Sequence, residues 1–202
     1  MVDNNEITMN GENFEPHKET IVKWVHFLFL CQIAKLFITA LGTISVINDI
    51  AGWVSRLISF ATVFALFKLS VVNVRYRKAT IFYGISIGGS ILFLALNMNM
   101  FVLVLSICSI VASYQELNAH SEITASKDAK LSARWHSLFY LDMFAGIMVG
   151  VVSIIPMIIA AFAGVDTNLL ISIFSIVLAL INIVLGLLHV VYLKKTVVLY
   201  RD

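Results

Sequence analysis

Six long apolar runs occupy most of the chain, and no other feature of the sequence restricts the fold so tightly. They cover residues 24–47, 51–73, 79–96, 101–119, 138–164 and 169–193. A helix rises about 1.5 Å per residue, so about 20 apolar residues cross a hydrocarbon core about 30 Å thick. The runs are continuous and do not alternate with period two, which favours helices over barrel strands. Only 13% of the 202 residues are charged and 60% are apolar, against about 25% charged in an ordinary soluble domain. So little polar surface cannot coat a water-soluble globule. The expected fold is all-α: a polytopic membrane protein with a single bundle of six transmembrane helices over residues 21–202. Residues 1–20 carry Asp3, Glu6, Glu12, Glu15 and Glu19 and lack the basic start of a signal peptide. They read as a disordered acidic cytoplasmic tail.

The connections between runs alternate in charge. Segments 48–50, 97–100 and 165–168 contain no Lys or Arg, whereas 74–78 reads Val-Arg-Tyr-Arg-Lys and 120–137 holds Lys127, Lys130 and Arg134. Lys18 and Lys23 precede the first run, and Lys194, Lys195 and Arg201 follow the last. Three of the fourteen basic residues fall elsewhere: Arg56 near the opposite side, and Lys35 and Lys68 within runs. Under the positive-inside rule both termini are expected in the cytoplasm and the chain in the plasma membrane. Trp24, Trp135, Tyr76, Tyr192 and Tyr200 are expected at the inner headgroup level and Trp53 at the outer one. Residues 126–134 are Ala/Lys-rich and read as a helical extension of the fifth run. Cys31 and Cys108 lie in apolar runs without metal-ligand spacing and read as inert thiols.

Polar and small residues form stripes at helical spacing. The sixth run places Ser172, Ser175, Ala179, Asn182, Gly186 and His189 on one face, and the fourth places Ser106, Ser109, Ser113, Glu116 and His120 likewise. Such stripes serve as packing seams or line a polar path. Gly84/Gly88 and Gly146/Gly150 have the spacing of close-packing glycines, within the bundle or between protomers. Pro156 lies within the fifth run and favours a kink.

Ionisable side chains inside the runs are costly and face the bundle or water. Lys35, Lys68, Glu116, Asp142 and His189 are expected to form a polar cluster in the inner half of the membrane, open to the cytoplasm. A Lys35–Asp142 ion pair is within reach. The cluster serves either as a solute or proton site or as a device that fixes helix order.

Enzyme signals are weak. Gly84-Ile-Ser-Ile-Gly88 resembles a nucleophile elbow only as a string, since it falls inside an apolar helix. No His-Glu-x-x-His, P-loop or dinucleotide fingerprint occurs. No catalytic residue, metal or cofactor is expected, and no nucleic-acid partner. The lipid bilayer is the expected surrounding, with a homo-oligomer or a membrane-protein partner open. Two functions suit these features: transport of a small solute or ion through the polar cluster, or a non-catalytic subunit, immunity-type or scaffold role through helix contacts.

Overall fold

The computed structural model describes residues 14, 16–41, 48–96, 102–163 and 168–201, without the side chains of 41, 48–49, 93–96, 102–103, 149–163, 168–175 and 178. The described chain is all-α, with helices α1 (Lys18–Leu41), α2 (Asn48–Leu69), α3 (Val74–Leu96), α4 (Val102–Ala125), α5 (Ala129–Ala163) and α6 (Asn168–Arg201). Among the described residues, Lys18–Ala40, Ile50–Leu69 and Ala179–Arg201 are long and apolar enough to cross a membrane. The sequence reading expects six such helices. The other three have only part of their apolar stretch among the described side chains: α3 to Leu92, α4 from Val104 and α5 to Met148.

Two helix starts on the basic side are set by side-chain caps. Asn73 Oδ1 accepts the backbone N–H of Arg75 at 2.8 Å, and Asp128 Oδ1 accepts that of Leu131 at 2.9 Å. Each satisfies a backbone donor that the first turn leaves unpaired. The caps correct the expected connections. Residues 74–78 are the opening of α3, and the turn before them is 70–73. The expected loop at 120–137 is mostly helix: α4 continues to Ala125, and a three-residue turn at 126–128 leads into α5. Ser126–Asp128 thus form a turn before the Ala/Lys-rich start of α5.

The helices form a closed ring in chain order, each packed on its neighbours in sequence, with α6 returning to pack on α1. Short turns give the adjacent pairs. At the closing seam Gly186 is buried on α6, where an added Cβ would meet the end of the Leu36 side chain.

The packed core occupies the basic end of this ring. Ile21, Val25 and Leu28 on α1 meet Leu66 and Leu69 on α2, Tyr76 and Ala79 on α3, Ile123 on α4, Leu131 and Trp135 on α5, and Leu193 and Tyr200 on α6. Phe14, from the segment expected to be a disordered tail, is buried in the same cluster; residues 1–13 lie outside the described chain. Trp135, Tyr76 and Tyr200, expected at the inner headgroup level, are each 0% exposed and face the protein core. Trp135 Nε1 donates to Thr196 Oγ1 at 3.2 Å, and Tyr200 Oη donates to the carbonyl of Ile123, so these polar tips are satisfied inside the core. Trp53 keeps an exposed position, with the Arg56 guanidinium 4.7 Å from its ring centre.

The outer surface is apolar. Phe37, Leu57, Phe67, Ile85, Phe144 and Leu180 are all more than half or nearly half exposed. An apolar surface this continuous calls for acyl chains or a protein partner. Gly84, Gly88 and Gly146 have open space where a Cβ would stand, so within this chain they are not close-packing contacts as their spacing suggests; Gly150 and Pro156 lie outside the described side chains.

Candidate functional site

Glu116 and His120 are four residues apart on α4 and therefore share a face. That face meets α3, which runs antiparallel to it, and two tyrosines bridge the pair. Tyr83 Oη donates to Glu116 Oε2 at 3.0 Å, and Tyr76 Oη lies 2.9 Å from His120 Nδ1. From the other side α6 brings His189, whose Nε2 is 4.0 Å from Glu116 Oε1. That separation exceeds hydrogen-bond length. Trp135 of α5 lies against both imidazoles, stacked on His120 with centroids 4.5 Å apart and edge-on to His189 at 5.3 Å.

His120 is fully buried, and its Nε2 has no hydrogen-bond partner among the described residues. Leaving a buried polar atom unsatisfied costs about 1–3 kcal/mol.

Next to this group is a cavity of about 250 Å³ with walls from all six helices. Gln32 and Lys35 come from α1, Ser59 and Thr62 from α2, and Tyr83 and Ser86 from α3. Ser109, Ser113 and Glu116 come from α4, Asp142 from α5 and His189 from α6. Most core residues lie toward the basic end and most cavity residues beyond them, with Leu117 and Leu138 in both sets. The packed core is thus a plug between the cavity and that end.

Of the five expected cluster residues, Lys35, Glu116, Asp142 and His189 line this one cavity. Lys68 is apart from them. It is exposed in the last turn of α2, with its ammonium 5.3 Å from the Phe64 ring centre, so its long stem lies along apolar surface. Lys35 and Asp142 form no ion pair; Asp142 Oδ2 accepts from Ser113 Oγ at 3.1 Å. Core residues lie between the cluster and the basic end, the side toward which it is expected to open.

The stripes are placed unevenly. Ser109 and Ser113 face the cavity, whereas Ser106 is exposed. Asn182 is exposed and Gly186 packs on Leu36; the side chains of Ser172 and Ser175 lie outside the described residues. Cys31 and Cys108 are free thiols.

Several residues of the site are not expected there from the sequence. Tyr76 and Trp135 read as membrane-interface positions, and Tyr83 has no reading of its own. His120 shares the fourth-run stripe with Glu116, since their four-residue spacing marks one helix face. No family model, curated protein or solved structure matches the chain.

Proposed function

We propose that the chain is a six-span protein of the plasma membrane, with both termini in the cytoplasm, that binds a small polar solute or ion in the cavity at the centre of its helix ring and carries it across the bilayer. The observation that carries this reading is the cavity wall: polar side chains from all six helices surround one space. Polar groups at membrane depth are tolerated when they line a site or pathway. At about 250 Å³ the space is below the about 300 Å³ of the smallest drug-sized sites. The solute is therefore small, and an amine, carboxyls and hydroxyls are available to hold it. The lopsided distribution of Lys and Arg supports a cytoplasmic basic end. With the plug on that side, this conformation is closed to the cytoplasm and the solute enters from the opposite face.

The alternative, a non-catalytic partner in a membrane complex, draws on Gly84, Gly88 and Gly146, whose outward faces are open to a neighbouring helix.

Thiol scanning tests the transport reading. Single cysteines replace Ser59, Ser86, Ser109 or Ser113 in a Cys31→Ser/Cys108→Ser background. A water-soluble, membrane-impermeant thiol reagent is then applied to intact cells and to inverted vesicles. Reaction from the outer face at two or more positions is expected. Labelling at none, or from the cytoplasmic face only, overturns the reading.

A further inference from the structure

We propose that Glu116, His120 and His189 form a three-ligand site for a divalent first-row transition ion of the zinc class, with a fourth coordination position facing the cavity. One donor atom from each residue lies within 4.8 Å of the other two. The centre of a triangle with edges of that length is about 2.8 Å from each corner, close to the about 2.0–2.2 Å of zinc bonds to imidazole and carboxylate. Small side-chain rotations close the difference.

A second observation points to the same ligand. His120 has its Nδ1 engaged with Tyr76 and its buried Nε2 unpartnered. With Nδ1–H donating to Tyr76 Oη, the Nε2 lone pair is free for an ion. A ligating histidine ordinarily holds its other ring nitrogen in this way. The other donors are also oriented: Tyr83 holds Glu116 Oε2 and leaves Oε1 toward His189, and Trp135 packs on both imidazoles.

The donor set decides the class of ion. Two imidazoles and one carboxylate suit zinc, cobalt or nickel, whereas magnesium and calcium prefer all-oxygen shells. Glu116 and His189 line the cavity, so a water or a solute donor has access to the remaining position, as in zinc sites with three protein ligands. The sequence suggests no metal, since neither Cys31 nor Cys108 has a Cys or His at metal-ligand spacing; here the third donor is 69 residues from the second in sequence.

The site is independent of the transport reading, because ion binding to the purified chain requires no passage of solute. The full chain in detergent is stripped with a chelator, and Co²⁺ is added alone, followed by Zn²⁺. One Co²⁺ per chain is expected, with the intense visible absorption of a four-coordinate ion, displaced by an equivalent of Zn²⁺. Glu116→Gln and His189→Asn are each expected to weaken binding at least tenfold. His26→Ala and His136→Ala, at exposed histidines, are expected to leave it unchanged. Tyr76→Phe keeps the stoichiometry but lowers affinity about 10–100-fold, as loss of an outer-shell partner does. The wild-type result decides the matter even if a variant fails to fold. Less than half an equivalent bound, an octahedral Co²⁺ spectrum, or equal binding by folded Glu116→Gln and His189→Asn variants overturns the proposal.

Discussion

Trp135 lies flat on His120, with ring centroids 4.5 Å apart and planes 18° from parallel. The contact joins α5 to α4 where the packed plug meets the polar cavity. Through its indole N–H the same Trp135 reaches Thr196 on α6, so one side chain ties together three of the six helices.

Replacing Trp135 therefore tests whether the plug holds the ring closed. Removing a buried tryptophan down to Ala costs about 3–5 kcal/mol. At about 2–4 °C per kcal/mol for a chain of this size, Trp135→Ala is expected to melt at least 6 °C lower in detergent. Trp135→Phe keeps an aromatic face for His120 and loses the Thr196 hydrogen bond and part of the buried volume, so a smaller drop is expected. Equal melting temperatures for the two variants would place the stabilisation elsewhere.

The α5 cap offers a milder perturbation. Asp128→Ala leaves the Leu131 N–H without its side-chain acceptor and is expected to cost about 1 kcal/mol, with Asp128→Asn near wild type. Limited proteolysis gives the local readout. Faster cleavage near the 126–128 turn is expected for Asp128→Ala alone.

How much of this was legible beforehand depended on the range of the interaction. Helix existence follows from run length, which is local, and all six helices were readable. Their basic-end boundaries were not. Residues 120–137 are too polar to read as a membrane span, yet Ile123 buries the last turns of α4, and Asp128 caps α5, whose inner face Leu131 and Trp135 bury. A cap followed by an apolar residue three positions later was a readable signal. The convergence of His120, Trp135 and His189 was not, because no sequence rule relates residues on α4, α5 and α6 until the ring order is known. The same limit hid the burial of Trp135: beside Arg134 it looks like a lipid-facing anchor, and only the neighbouring helices make it core.

The glycines give opposite expectations from similar motifs. Gly186 faces the Leu36 side chain across the α1–α6 seam. Ala there needs only a shift of that flexible end, whereas Leu overpacks the seam, at about 1–3 kcal/mol or more. Gly84 and Gly88 have open space around them, and Ala in a helix interior gains about 0.5–1 kcal/mol over Gly. Gly84→Ala and Gly88→Ala are expected to melt at or above the wild-type temperature and Gly186→Leu well below it. A Gly84→Leu variant that changes the particle size on gel filtration would show that this outer face is occupied by another helix, as the partner reading requires.

Orientation has the widest consequences, since it decides which side of the membrane the plug closes. Ser126 is exposed in the α4–α5 turn, beside Lys127 and Lys130, where the positive-inside rule places the cytoplasm. A Ser126→Cys variant lacking Cys31 and Cys108 is expected to resist an impermeant maleimide on intact cells and to react once the membrane is permeabilised. Labelling before permeabilisation would invert the chain. The helix ring, the cavity and the Glu116–His120–His189 arrangement would be unaffected, because they rest on contacts within the protein. The entry side of the cavity would change: the plug would then seal the outer face, and the cavity would open inward.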